Sequence, residues 1–300
     1  MATWRPCEYH RITLGFWRVE LIFSRRKGST ITQGIFYNPW CEKYSNYEFL
    51  QCEEGSVGMQ DLNNKTKLTL MAFGAHPDPF DMPYQAGGTL AKYAKQGHRV
   101  IMVSAAHEEE WAGEVKAIAT HLGAEPRFLN FVEGSIVDDA PHTHRIMDMI
   151  REYAPDIVLT HQPTDYHPDH RALSRAVLAA CLLARVGEIK SPHSVHKVGN
   201  LFYTETTSGL NSQGTIYIDV AETWQQKIDA LKLHRQLSER HGVAHLDSIE
   251  HLIEREETNM KFRGFQVERD YCEAFQVAVN YRVRWAHDLL PIATLPPLEE

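Results

Sequence analysis

Two short stretches concentrate the side chains able to do chemistry: Gly74-Ala75-His76-Pro77-Asp78-Pro79-Phe80-Asp81 and Asp165-Tyr166-His167-Pro168-Asp169-His170. Each sets imidazole and carboxylate beside a proline. Neutral imidazole and carboxylate are hard or borderline ligands suited to a divalent ion, so the pair reads as two halves of one metal site. A lone His-Pro-Asp is more often a loop turn or a helix cap. The pairing of two such stretches is what favours a metal.

The elements that must position these residues follow from the apolar pattern. Residues 68–75 read as a strand leading into the first stretch, and the paired glycines Gly87 and Gly88 open a helix over 86–96 that Gly97 ends. Strand 99–105, helix 111–122, strand 127–131, helix 142–153 and strand 156–161 continue the alternation. The second stretch follows that last strand and opens a helix over 170–186, with Pro168 suited to the first turn and Asp169 to the positive end of the helix dipole. Strands at 201–205 and 215–220 and helices at 222–239 and 247–260 complete the pattern. It predicts an α/β fold with a doubly wound, mostly parallel sheet and helices on both faces, in which sites lie at strand ends.

Composition narrows the class. The chain has 300 residues, 43% hydrophobic and 23% charged, ordinary for a soluble globular protein with a sizeable core. A formal charge of −8, with the basic residues scattered, gives no electrostatic reason to expect nucleic acid. Cys7, Cys41, Cys52, Cys181 and Cys272 are odd in number and lack CxxC spacing, which points to a reducing cytoplasm. The most membrane-like run, 172–186, is too short to span a bilayer and is flanked or interrupted by Arg171, Arg175 and Arg185, so no membrane partner is expected. Residues 1–66 differ from the rest, with no clear helical period, and read as an extension or a small appended β module with strands near 11–24 and 30–37. The regular domain is read over 67–300, and the functional start is expected near Met59, about eight residues before the first strand.

Several separated motifs then carry a resemblance. Ala75-His76-Pro77-Asp78, Ala86-Gly87-Gly88-Thr89-Leu90, the strand Arg99-Val100-Ile101-Met102-Val103-Ser104, Leu122-Gly123-Ala124 before Phe128-Leu129, His167-Pro168-Asp169-His170, Lys227-Ile228-Asp229-Ala230-Leu231-Lys232-Leu233-His234 and Tyr271-Cys272-Glu273-Ala274-Phe275 occur in one order. In that order they resemble the PIG-L/LmbE family of metal-dependent N-acetylglucosaminyl deacetylases, over roughly 67–280. The resemblance implies a Rossmann-like fold; no Gly-x-Gly-x-x-Gly fingerprint is present to imply NAD. It maps His76 and His170 onto metal ligands, Asp78 onto the general base, and His167 onto the group that stabilises the tetrahedral intermediate.

The third ligand is where the chain departs. The family has Ala-His-Pro-Asp-Asp, whose second aspartate binds metal, but that position here is Pro79, which has no side-chain donor. Either Pro79-Phe80 is an insertion that delivers Asp81 into the ligand position, or the spacing is kept and the ligand is lost. The eleven-residue spacing from His76 to Gly87, about two longer than the family's, favours Asp81, although the insertion could equally fall at Pro83-Tyr84. With His76, Asp81 and His170 as ligands, a cation, zinc or another divalent transition metal, keeps an open position. Asp78 then takes a proton from water and passes it to the departing amine.

Asp169 and Asp165 are candidates for orienting the histidines, or else a helix-dipole residue and an Asx turn; Gly87-Gly88 reads equally as close packing. Glu133 takes the place of a family aspartate that commonly meets a sugar hydroxyl, or else is a loop carboxylate facing water, and His234 is a further pocket candidate. His142-x-His144 reads as a polar helix start, and Glu108-Glu109-Glu110 as solvated first-turn carboxylates. The expected activity is a zinc-dependent N-deacetylase acting on a small N-acylated amine such as an amino sugar; a homo-oligomer is compatible with the chain. The alternative is a degenerate member that binds a sugar or nucleotide without turnover. A serine hydrolase has no Gly-x-Ser-x-Gly elbow to support it.

Overall fold

Successive residues of a strand point to opposite faces of a sheet, and the central strands place apolar side chains on both. Met71, Phe73, Ile101, Val103, Val158, Leu201 and Tyr203 belong to one buried cluster. Leu70, Ala72, Val100, Met102, Ile157, Leu159 and Phe202 belong to a second. With both faces covered, the strands read as near-continuous apolar runs.

In the computed structural model these strands lie in a seven-stranded sheet. The structure describes three strands within residues 8–37, and residues 67–77, 81–210, 212–233 and 249–278. Residues 1–57 form one compact unit and 58–300 another. In the first, β1 (Glu8–Leu14), β2 (Trp17–Arg26) and β3 (Ser29–Tyr37) pair as an antiparallel sheet, registering Leu14 with Trp17 and Arg26 with Ser29. The strand pattern expected near 11–24 thus falls on two strands, β1 ending at Leu14 and β2 beginning at Trp17.

In the second unit the strands are β4 (Thr69–Gly74), β5 (Arg99–Ser104), β6 (Glu125–Phe128), β7 (Ile157–Thr160), β8 (Asn200–Thr204), β9 (Ile216–Asp219) and β10 (Cys272–Val277). Their order is β6-β5-β4-β7-β8-β10-β9, parallel from β6 through β8, with β10 antiparallel to both neighbours. This is the expected mostly parallel, Rossmann-like α/β sheet. The helices are α1 (Met82–Lys95), α2 (Glu108–His121), α3 (Ala140–Tyr153), α4 (Pro168–Leu183), α5 (Trp224–Lys232) and α6 (Ile249–Phe265). Residues of α3 and α4 join the first cluster, and residues of α1, α2 and α5 the second, which makes three layers. Among the described residues no helix is long and apolar enough to cross a membrane.

Two boundaries differ from the sequence pattern in ways that matter for the site. Helix α1 begins at Met82, not at Ala86, because Pro83 suits a first helical turn; Gly87 and Gly88 lie inside the helix. Their lack of a side chain lets the chain approach closely, since a Cβ at Gly88 would stand 2.9 Å from the Cβ of Val220. Helix α4 begins at Pro168, which puts His167 at its N-cap and His170 in its first turn.

Buried charges tie the layers together. Lys227 is fully buried, with Nζ donating to Glu256 at 2.5 Å and to Glu273 at 2.7 Å. Glu273 also accepts the backbone N–H groups of Gly88 and Thr89 at 2.8 and 2.7 Å. The motifs Ala86–Leu90, Lys227 and Tyr271–Phe275 thus meet at one ion pair. Arg151 of α3 donates to the carbonyls of Leu183, Ala184, Val186 and Ile189, closing the C-terminal end of α4 where helix carbonyls lack intrahelical partners.

Candidate metal centre

The strands β4 and β7 are hydrogen-bonded neighbours, and the residues just beyond their carboxyl ends include His76 and His161. Helices α1 and α4 start close by, so Asp81 at one N-cap and His167 and His170 at the other face the same strand ends. An N-cap aspartate ordinarily accepts N–H groups of its own helix. The Asp81 side chain does not; its Oδ2 accepts the backbone N–H of His76 and lies 3.5 Å from His76 Nδ1. Gly74 makes room for it, because a Cβ there would sit 3.1 Å from the Asp81 carboxyl carbon.

Carboxylates sort the ring nitrogens. His170 Nδ1 lies 3.1 Å from Asp165 Oδ2, and His76 Nε2 lies 3.2 Å from Asp169 Oδ2. Carboxylates accept, so with the hydrogens of neutral rings on these nitrogens the lone pairs would sit on His76 Nδ1 and His170 Nε2, where His76 Nδ1 also has Asp81 Oδ2 at 3.5 Å. Those two nitrogens face each other at 3.2 Å. Facing nitrogens at that distance can share a proton or a cation. Two nitrogens each about 2.0–2.1 Å from a tetrahedral zinc stand roughly 3.3 Å apart, so the spacing suits a shared ion.

Electrostatics agree with that donor set. Burial alone would raise the Asp81 carboxyl, but His161, His76 and His170 hold it well below its ordinary value, ionised. Desolvation, with His161 adding, pushes His170 down to about 4, which keeps the imidazole neutral and able to ligate. The Asp165 carboxyl, raised by burial, is brought below its usual range by the His170 hydrogen bond. Its Oδ1 accepts the His167 N–H at 2.9 Å, so Asp165 makes an Asx turn and orients His170 at once. Asp169 likewise serves in both ways, in the first turn of α4 and, through Oδ2, on His76 and on the Gly134 N–H at 2.6 Å.

Among the described residues, two overlapping groups of donors lie within ligand reach of one another: His76, His167 and His170, and Asp81, His161 and His170. His161 is fully buried, with Nε2 2.7 Å from Asp81 Oδ1 and its ring stacked on His170 at 3.8 Å and 7°. Sequence reasoning left His161 as the last residue of a strand. Its only signal was a histidine directly after the apolar run Ile157-Val158-Leu159, at the strand end where sites are built. His167 Nδ1 accepts the Asp169 N–H at 3.3 Å, which leaves the hydrogen of the neutral ring on Nε2; desolvation and His76 keep its pKa below the ordinary value.

The Glu133 carboxyl, in the loop before Gly134, is pushed up by desolvation, with His76 opposing and Asp169 and Asp81 adding to the rise. Asp78 and His234 lie outside the described residues. His142 serves the start of α3, its Nδ1 2.6 Å from the N-cap Asp139. Glu108, Glu109 and Glu110 occupy the first turn of α2.

Comparison with known proteins was made against this geometry. Residues 71–181, which contain both histidine stretches, match the family model described as PIG-L: GlcNAc-PI de-N-acetylase. A 1D-myo-inositol 2-acetamido-2-deoxy-alpha-D-glucopyranoside deacetylase from Rhodococcus erythropolis is 29% identical, over 52% of this chain and 67% of its own length. Among solved structures, the 4-carboxy-2-hydroxymuconate hydratase of Pseudomonas putida superposes with a TM-score of 0.62 at 20% identity, covering 74% of this chain and all (100%) of the other. The N,N'-diacetylchitobiose deacetylase of Pyrococcus horikoshii does so with a TM-score of 0.56 at 18% identity, covering 74% and 88%. A hydratase and a deacetylase on one fold show that the fold leaves the reaction open. The match to the PIG-L family model spans the strands, loops and helices that build the histidine cluster, and over those residues the chain is similar to that family.

Proposed function

We propose that this protein is a metal-dependent N-deacetylase of a small N-acetylated amine, an amino sugar first among them. The observation that carries the reading is the facing pair of nitrogens of His76 and His170, 3.2 Å apart, each ring with a carboxylate at its far nitrogen, beside the ionised Asp81. The similarity to a deacetylase of an N-acetylated glucosaminide supports the substrate class. The N/O donor set suits zinc and neighbouring divalent ions. His76, Asp81 and His170 would hold the ion, with Asp81 serving at the position that Pro79 leaves without a donor.

Such an ion supplies Lewis acidity toward an amide carbonyl and toward water. The residues supply the rest. Asp78, two residues beyond His76, is assigned the proton: it takes it from the attacking water and returns it to the departing amine. His167 is assigned the developing negative charge on the carbonyl oxygen. As a neutral ring with hydrogen on Nε2, it donates to that oxygen without having to be protonated first. Glu133 is assigned a hydroxyl of the substrate, and His234 the pocket.

The test is acetate release from N-acetylglucosamine and its glycosides by zinc-loaded protein, with Asp78→Asn beside the wild type. The reading expects zinc-dependent release, reduced at least about a hundredfold in the variant. Stoichiometric zinc with bound sugar and no acetate from any N-acetylated substrate would instead establish a binding protein.

A further inference from the structure

Tyr166 is 67% exposed although it stands directly before His167, the N-cap of α4. Single exposed apolar side chains are common on any protein surface and ordinarily need no explanation. Two features set this one apart. Its ring borders the histidines, with its centroid 6.1 Å from that of His167, at 83° between planes, and 6.5 Å from that of His170. The main chain that carries it is also held on both sides.

That hold comes largely from α4 itself. Arg171 Nη1 donates to the carbonyls of Asp165 and Tyr166, at 2.7 Å each. The Asp165 N–H donates to the Gln162 carbonyl at 3.2 Å, and Asp165 Oδ1 accepts the His167 N–H at 2.9 Å. Pro168 fixes its own φ and restricts His167 before it. A main chain so fixed presents an aromatic ring to solvent beside the imidazole assigned to the carbonyl oxygen. Holding a contact residue in place before the ligand arrives lowers the entropy lost on binding.

The chemistry of the ring selects its occupant. An aromatic face is flat, apolar and electron-rich. A pyranose offers a matching surface, because its axial C–H groups form an apolar face while its hydroxyls lie around the edge. In an N-acetylated amino sugar the amide nitrogen is bonded directly to a ring carbon, so an acyl group inside the histidine cluster leaves the pyranose at the rim, where Tyr166 stands. Glu133, assigned a hydroxyl, belongs to the loop that the Gly134 N–H ties to Asp169 of the same helix turn at 2.6 Å. A short acyclic amine has no face to lay on the ring.

We propose that Tyr166 is a specificity-determining residue whose ring is the platform for the pyranose of an N-acetylated amino sugar. The assignment rests on the proposed deacetylase activity and narrows its substrates from small N-acetylated amines to ring sugars.

The experiment measures N-acetylglucosamine binding by titration calorimetry in the zinc-loaded full chain carrying Asp78→Asn, so that turnover does not blur the isotherm. Adding Tyr166→Ala should weaken sugar binding by about tenfold at unchanged zinc stoichiometry. Adding Tyr166→Phe, which keeps the face and loses the hydroxyl, should leave the affinity close to that of the parent. With Asp78 intact, Tyr166→Ala should lower kcat/KM for N-acetylglucosamine relative to that for N-acetylethanolamine, an acyclic amide, by a similar factor. Undiminished sugar affinity in the Tyr166→Ala protein, loss of zinc along with the sugar, a Tyr166→Phe protein as weak as Tyr166→Ala, or no sugar binding to the parent would each overturn the proposal. Failure of the deacetylase reading looks different: no acetate from any N-acetylated substrate, with the sugar still held through Tyr166.

Discussion

His76 Nδ1 and His170 Nε2 stand 3.2 Å apart, while their outer nitrogens rest on Asp169 and Asp165. A cation held between them would bind the folded chain far better than the unfolded one. Zinc at a hundred times its dissociation constant should therefore stabilise the protein by about 2.7 kcal/mol. Thermal unfolding with and without zinc, and after chelation, reads this directly. A melting temperature indifferent to zinc would mean that a proton, not a cation, lies between the rings.

The two orienting carboxylates give a graded prediction. Asp165→Asn and Asp169→Asn keep the size of the side chain but weaken the acceptor that holds each imidazole. Each should lower zinc affinity by roughly ten- to a hundredfold while leaving about one site per chain. His170→Ala should abolish the site, and equilibrium dialysis separates weakened sites from lost ones.

The Lys227 ion pair should be costly to break from one side. Lys227→Met leaves Glu273 and Glu256 buried without their cation. A loss of about 3–5 kcal/mol is expected in urea unfolding. Adding Glu256→Gln should restore part of it, because one buried charge is then removed.

Glu256 makes the stability pH-dependent. Burial pushes its carboxyl up to about 7, with Lys227 opposing. The folded chain thus binds a proton at Glu256 that the unfolded chain has already released, and this contribution lowers stability as pH rises from about 4.5 to about 7. Glu256→Gln mimics the protonated form. It should be near neutral at pH 5 and stabilising by on the order of 2 kcal/mol at pH 8, provided Glu273 keeps Lys227 paired. Equal effects at the two pH values would contradict the assignment.

Arg151 offers a test far from the histidines. Its guanidinium donates to four carbonyls at and beyond the C-terminal end of α4. Arg151→Met keeps the aliphatic stem and orphans those carbonyls, so about 2–4 kcal/mol should be lost. Because α4 also carries His167 and His170 at its other end, zinc affinity measured well below the unfolding midpoint should hold near wild type.

The β-α alternation was legible because each central strand is buried on both faces and each helix on one, so residues such as Leu70 to Phe73 and Ile146 to Ile150 reveal their elements by composition and period. Boundaries were less legible. Gly87 and Gly88 looked like a helix start, since glycine weakens helix interiors, yet Val220 and Lys227 press against them from distant parts of the chain. The role of Glu273 was hidden for a similar reason: its partners Gly88, Thr89 and Lys227 lie 185, 184 and 46 residues away.

His76, His167 and His170 could be singled out from order and spacing alone, because a metal's demand for imidazole and carboxylate is a demand on residue type. Asp81 was named as the substitute for the donor absent at Pro79 only through the resemblance to the family pattern, with loss of that ligand as the alternative. What only the tertiary structure decided is which nitrogen each histidine presents. Tautomer and ring plane depend on hydrogen bonds from residues far along the chain: Asp169 to His76 across 93 residues, and Gln85 to His161 across 76. The sequence alone therefore marked most of the side chains that could bind a cation, and left out His161. The packing of α1 and α4 against the ends of β4 and β7 decided that His76 faces His170 while His161 lies flat against it, because directions in space arise only when separate elements meet.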